Sequence, residues 1–190
     1  METLTFKTPK EFEAWLKAHH AKVPRVWVRF LKKAHKETSG EKSITYAQAL
    51  DVALCYGWID SLANALEEKS YKQKFSPRGP KSVWSKRNRE HIARLIKEKR
   101  MTPAGLAAVA AAKKDGRWAG AYDGSKAMKI PEDFLQELGK RKKAKAFFDT
   151  LNKANLYAIG YRLQTAKKPE TRERRKAAIL AQLEAGKKFH

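Results

Sequence analysis

The sequence predicts an α+β fold: a small antiparallel sheet with flanking helices in the N-terminal half, and a C-terminal half built of helices alone. Two stretches, Arg25–Lys33 and Trp58–Pro77, alternate apolar and polar residues with the period of a strand. Most other apolar residues recur every three or four positions, and beyond Asp115–Lys129 every periodic segment reads as helix.

The first helix starts at Thr8-Pro9-Lys10-Glu11. Thr8 is an N-cap, Pro9 needs no amide donor in the first turn, and Glu11 closes a capping box. Phe12, Trp15, Leu16 and His19 then share one face, and Pro24 ends the region. Val26, Val28 and Phe30 alternate against Trp27, Arg29 and Leu31 in the first strand. Thr45-Tyr46-Ala47-Gln48 is a second capping box, whose helix carries Ala49, Leu50, Ala53 and Leu54 and stops at Gly57. From Trp58 the period is two again. Tyr71, Gln73 and Phe75 share one face of a strand and Lys72 and Lys74 the other, with Trp58–Ala65 its partner across a turn near Glu67-Glu68.

Two prolines and a glycine exclude regular structure from Ser76–Ser82. Ser85 caps a helix with Ile92, Leu95 and Ile96 inward; Thr102-Pro103 opens another with Leu106 and Val109, ending at Gly116. Gly116, Gly120 and Gly124 make residues 115–130 a linker between an α+β domain over 1–114 and a helical region over 131–190 packed on it. In that region Pro131 opens a short helix, and Ala144–Leu151 and Asn155–Thr165 carry Phe147, Phe148, Leu151, Leu156, Ile159 and Leu163. Pro169 starts a last helix that ends near Gly186.

The chain has 190 residues, enough to bury a sizeable core, and 42% of them are hydrophobic, which excludes a disordered polycation. It carries 42 Lys and Arg against 20 Asp and Glu, a net charge of +22. That excess is segregated. Residues 69–114 hold a net +12 and residues 138–176 a net +10, so the rest of the chain is neutral. Segregated positive charge attracts phosphate, anionic lipid or acidic protein surfaces, or else forms a solvated face. The opening Met1-Glu2-Thr3-Leu4-Thr5-Phe6-Lys7 has no apolar core of a secretory signal, and no run is long enough to span a membrane. With one cysteine, Cys55, and hence no internal disulfide, the expectation is a cytoplasmic protein.

Co-linear words run through the chain. They include Ala53-Leu54-Cys55-Tyr56-Gly57-Trp58-Ile59-Asp60-Ser61, Ser70-Tyr71-Lys72-Gln73-Lys74-Phe75-Ser76-Pro77-Arg78 and Ser82-Val83-Trp84-Ser85-Lys86-Arg87-Asn88. Met101-Thr102-Pro103-Ala104-Gly105-Leu106-Ala107, Asp115-Gly116-Arg117-Trp118, Ala158-Ile159-Gly160-Tyr161-Arg162-Leu163-Gln164-Thr165-Ala166-Lys167 and Pro169-Glu170-Thr171-Arg172 follow. From about Phe6 to Arg175 the sequence resembles the bacteriocin-protection, YdeI/OmpD-associated family. The resemblance implies a stress role, in tolerance of bacteriocins or cationic antimicrobial peptides, and brings no reaction, cofactor or catalytic residue with it.

The residues themselves point to anion binding. Arg78, Lys81, Lys86 and Arg87 surround the start of the helix after Ser85, where exposed amides favour a phosphate or carboxylate. Trp84 offers a stacking face, or alternatively belongs to the core with Ser85 as a plain cap. Arg162, Gln164 and Arg172 form a second cluster for a bound anion if the two converge. A third constellation, Tyr56, Asp60, Lys69, Tyr71 and Arg78, is a candidate polar pocket for a small-molecule enzyme, or an ion-pair network inside a small sheet.

Gly79-Pro80-Lys81-Ser82 fails as a phosphate-binding loop, because Lys74 stands where that loop needs a glycine and Pro80 removes an amide. His19, His20, His35, His91 and His190 have no metal-ligand spacing, His19 lies on an apolar face, and Cys55 lies in an apolar helix. The residues call for no cofactor and no metal. The expected partner is an anionic ligand or macromolecule, nucleic acid among them, and no helix-turn-helix, RNP motif or zinc finger accompanies it. The oligomeric state is open at this level.

Overall fold

A computed structural model describes residues 3–35, 40–125 and 127–189. Met1 and Glu2 of the opening, Lys126 of the glycine-bearing stretch and His190 lie outside the described residues. Contacts divide the chain into two compact units: Met1–Ser82 with Asn88–Ala119, and Val83–Arg87 with Gly120–His190.

The first unit is a four-stranded sheet with helices. Helix α1 (Pro9–His19) begins as its sequence dictates: Thr8 accepts from the Glu11 amide, with Pro9 in the first turn. The Glu11 carboxylate reaches one residue further back than a standard capping box and accepts from the Lys7 amide at 2.8 Å. Phe12 and Leu16 are wholly buried, each contributing about 1.5–3 kcal/mol of burial free energy. Helix α2 (Tyr46–Cys55) opens with a complete Thr45–Gln48 capping box.

The strands are β1 (Thr3–Leu4), β2 (Val26–Leu31), β3 (Trp58–Glu67) and β4 (Ser70–Pro77), in the order β1-β2-β4-β3. The pairs β2–β4 and β4–β3 are antiparallel, as expected. Strand β1 has only two residues, too few to show a period, and adds a parallel pair that makes the sheet mixed. Strand β3 also runs two residues beyond Ala65, with bulges between Asp60 and Ala63 and between Ala65 and Glu67.

Alternation gives the sheet two faces. Val26, Val28, Phe30, Gln73 and Phe75 are buried on the inner one. There Phe12 of α1 meets Phe75 edge-on at 5.7 Å, and Tyr46 of α2 meets Phe30 at 6.5 Å. Trp27, Arg29, Lys72 and Lys74 point outward and are only half-buried.

Helices α3 (Lys86–Lys97) and α4 (Pro103–Lys114) follow. Ile92 and Leu95 are buried as expected, but Ile96 and Leu106 are 45% and 46% exposed. Ile96 lies about 40° beyond Ile92 and Leu106 about 60° beyond Val109, each at the outer edge of its helix's buried stripe. Trp118 fastens the segment after α4, since its amide donates to Ala112 O and its ring lies beneath Arg89 and Lys113 at 5.4 and 5.6 Å.

In the second unit, α5 (Glu132–Gly139), α6 (Lys142–Phe148), α7 (Lys153–Gln164) and α8 (Pro169–Glu184) enclose a core of Phe134, Leu138, Ala144, Leu151, Ile159, Leu163, Ile179, Leu180 and Leu183. Asn152 caps α7, and Asn155, 1% exposed, accepts the Phe189 amide at 2.7 Å and so ties down the C-terminal segment. The short segment 83–87 joins this unit by hydrogen bonds on either side of Ser85: Tyr122 N–H to Trp84 O and Lys86 N–H to Tyr122 O.

Candidate functional site

The outer face of the sheet brings together an aromatic ring and three cationic side chains, Trp27, Arg29, Lys72 and Lys74. Register places Trp27 of β2 between Thr3 of β1 and Lys74 of β4, and Arg29 beside Lys72. Lys72 in turn lies opposite Asn64 of β3. The Lys72 ammonium sits 5.0 Å from the centre of the Trp27 ring. Arg29 is already engaged, with Glu41 and Glu67 each at 3.3 Å and Ser70 Oγ at 3.3 Å. This leaves Trp27, Lys72 and Lys74 as an aromatic ring with two ammonium groups. The sequence showed each of these as an outward residue of its own strand. The register that sets β2 against β4, across some forty residues of chain, makes them neighbours.

The eight residues expected to bind an anion fall in different settings. Lys86 and Gln164, one from each basic window, do converge, but on an internal carboxylate. Lys86 Nζ lies 2.6 Å from Asp123, and Gln164 donates to the Asp123 carboxylate at 3.0 Å while accepting from its amide at 3.1 Å. The Lys86 ammonium, and after it the Gln164 amide, hold the Asp123 carboxyl below the usual carboxylate range. Arg172 donates both arms of its guanidinium to Asp133, whose carboxyl is lowered by that contact. Arg162 stacks on Phe189 at 4.7 Å. The Lys86 amide is taken by Tyr122 O, so the first amide of α3 is not open to an anion. Trp84 is 1% exposed and offers no stacking face, and Ser85 is buried with it. Lys81 and Arg87 are exposed. Arg78 stands at the end of β4, its amide on Gly57 O at 2.9 Å and its Nε and Nη2 buried.

The proposed polar pocket is spread out. Asp60 accepts from the Tyr46 hydroxyl at 2.8 Å and lies opposite Phe75. Lys69 is in the hairpin turn at the other end of β4, about 20 Å away by strand rise. The Tyr71 ring stacks on Phe30 at 5.4 Å, and burial raises the pKa of its hydroxyl. Tyr56 instead borders a cavity between α1 and α4. Cys55 is 4% exposed, and burial pushes its thiol up to about 11, so it is held protonated. Among the described residues no cluster of His, Cys, Asp or Glu could hold a metal, and no helix is long and apolar enough to cross a membrane.

Comparison with curated proteins and with solved structures gives no match. Family models match in two places. The bacteriocin-protection, YdeI or OmpD-associated model covers residues 127–186, so the resemblance read across the whole sequence is carried by the second unit alone. The words from Ala53 to Ala107 lie under a different model, which covers more than half of the chain. With residues 4–108 matching it, the chain belongs to the family described as domain of unknown function DUF8412, joined to a C-terminal part that matches the YdeI or OmpD-associated family.

Proposed function

We propose that this chain is a non-enzymatic binding protein that holds single-stranded nucleic acid on the outer face of its sheet. The observation behind this reading is Trp27 directly across the ladder from Lys74, with the Lys72 ammonium 5.0 Å from its ring, on the outer face of the sheet. A half-buried indole is a platform on which any base can stack, and the two ammonium groups beside it on β4 neutralise phosphates. The net charge of +22 adds a long-range field that draws in a polyanion. Stacking and phosphate contacts are indifferent to base identity, so the expected binding has little sequence preference.

The description of the C-terminal family names bacteriocin protection. A strongly cationic chain repels cationic peptides, so a role of that kind would act indirectly, through an anionic partner in the cytoplasm. The test is binding of a fluorescent mixed-sequence single-stranded oligonucleotide at low and moderate salt. Affinity should fall steeply with salt. Trp27→Ala should weaken it about 5- to 150-fold, the equivalent of one stacked base. Lys72→Ala and Lys74→Ala should each reduce the salt slope by about 0.7. Unchanged affinity in Trp27→Ala, or competition by polyphosphate as strong as by oligonucleotide, would overturn the proposal.

A further inference from the structure

We propose that the strand held on the outer face is thymine-rich single-stranded DNA, laid across the sheet as a two-base step with one base on Trp27 and the next on Leu62. The inference rests on the proposed single-strand binding and extends it to β3. Register supplies the row. Thr3 of β1 pairs with Trp27, Trp27 pairs with Lys74, and the bulge between Asp60 and Ala63 sets Ser61 and Leu62 together opposite Lys74. Asp60 and Ala63 pair with Phe75 and Gln73, which are buried on the inner face, so the two residues between them share the outer face with Lys74. Leu62 is 56% exposed there, and Ile59, paired with Ser76, precedes it on the same face.

The solvated face of an antiparallel sheet ordinarily carries polar residues, and a bulge is a device that re-aims a side chain. Here the bulge turns a leucine outward in one row with a tryptophan and a lysine. A ligand that covers both apolar platforms passes the Lys74 ammonium between them. A nucleotide step offers base, phosphate and base in that order. Along the strands the same face is less favourable to a polyanion. The next outward row holds Arg29 with the Glu41 and Glu67 carboxylates at 3.3 Å, and beyond it Leu31 and Ser70 pair and are buried. Those two carboxylates repel phosphate, so the favoured path runs across the strands, from β2 over β4 to β3.

Spacing sets the kind of strand. Trp27 and Leu62 lie two inter-strand steps apart, about 10 Å, against about 3.4 Å between stacked bases. The two bases are therefore unstacked from one another. Pyrimidines give up little by this, whereas adenines, which stack strongly on each other, lose more. Leu62 has no π system, so its contribution is apolar area removed from water. The 5-methyl of thymine is an apolar group for a leucine to cover, and uracil lacks it, which favours DNA over a uracil-bearing strand. The preference is only a few-fold, since no hydrogen bond to a base edge enters it.

The test is binding of fluorescent oligo(dT), oligo(dA) and oligo(rU) of equal length to the full-length protein and to Leu62→Ser, Leu62→Trp and Trp27→Ala, at one salt concentration. Oligo(dT) should bind about threefold or more tighter than either of the others. Leu62→Ser should weaken oligo(dT) about threefold to tenfold, and Leu62→Trp, which enlarges the platform, should strengthen it about threefold or more. Leu62 is exposed, so neither substitution touches the core. Light scattering on the same samples reports whether a second copy covers Leu62 instead. A loss in Trp27→Ala with none in Leu62→Ser, or oligo(dA) or oligo(rU) bound as tightly as oligo(dT), would overturn this inference and leave single-strand binding standing. No loss in Trp27→Ala would overturn both. A dimer that Leu62→Ser converts to a monomer, with oligonucleotide binding unchanged, would assign the leucine to a second copy and overturn this inference as well.

Discussion

Replacing Gly105 with alanine adds one methyl group and should destabilise the protein severely. A Cβ at that position would stand 2.2 Å from Cys55 O, 2.8 Å from Cys55 C and 2.8 Å from Met101 Cε. The methionine tip can move. The Cys55 carbonyl cannot, because it belongs to the last residue of α2 and accepts both Thr102 hydrogen bonds. Relieving the overlap requires the two helix ends to separate by roughly 1 Å, which stretches both bonds. Their loss costs about 1–3 kcal/mol, and the overpacking itself about 1–3 kcal/mol. Alanine returns up to about 1 kcal/mol through helix propensity and a less disordered unfolded chain. The net is a loss of about 1–6 kcal/mol, or about 2–24 °C in Tm for a chain of this size. Gly139→Ala is the control: it also falls in a helix, but nothing lies within 4 Å of its Cβ, so it should be neutral or slightly stabilising. The assay is thermal and urea unfolding followed by circular dichroism. A Tm for Gly105→Ala at or above that of wild type would refute the close-approach argument.

The remaining predictions concern single groups. Cys55, with its thiol raised from 9.0 to about 11, should react with a thiol reagent at pH 8 at least about 100-fold more slowly in the native protein than in urea; equal rates would contradict its burial. Asp123 and Asp133 have carboxyls lowered from 3.8 by their cationic partners, so the ionised forms are favoured in the folded state. Their contribution is therefore present above the unfolded value and lost as pH falls through the lowered ones. The urea midpoint should hold steady down to about pH 5 and drop below about pH 4, less steeply in Asp123→Asn; identical pH profiles would count against the Lys86–Asp123–Gln164 arrangement. Thr45→Ala removes the capping box of α2 and should lower stability by about 1 kcal/mol in the same urea assay. A change under a few tenths would mean the cap adds nothing.

Much of the fold was legible because local chemistry and tertiary packing agree. Thr8, Thr45 and Thr102 each accept the amide three residues on, as their positions before apolar-periodic segments predict. The hairpin followed from the alternation of Tyr71, Gln73 and Phe75 against Lys72 and Lys74. Strand β1 was not legible, since two residues have no period and pair only because β2 is already in place beside them. Ile96 and Leu106 were placed inward because a helical wheel identifies a stripe but not its width. Trp84 shows the opposite limit. Its neighbours Lys86 and Arg87 suggested a binding loop, yet nothing local reveals that Tyr122, some forty residues away, hydrogen-bonds on either side of Ser85.

The basic windows overstate the charge free to act for a physical reason. Charge counted along a chain ignores where the few acids are placed, and here they sit against many of the windows' cations. Arg94 and Arg100 bind Glu98, and Arg94 also reaches Asp51 at 2.6 Å. Lys145 holds Asp149, Arg141 holds Glu184, and Arg172 and Lys176 meet at Asp133. Most of these pairs are solvent-exposed and individually weak, worth about 0–1 kcal/mol each. They nevertheless orient those side chains toward the protein's own carboxylates, and a polyanion would have to displace them. Lys72 and Lys74 differ. Their strand pairing sets them opposite Asn64 and Trp27, with no carboxylate directly across the ladder from either. If binding tracked the windows, Lys86→Ala with Arg172→Ala would weaken an oligonucleotide as much as Lys72→Ala with Lys74→Ala does, since each pair removes two charges from the windows. The pairing pattern predicts a larger loss for Lys72 and Lys74, and the two double variants, measured side by side at one salt concentration, decide between total charge and charge free to act.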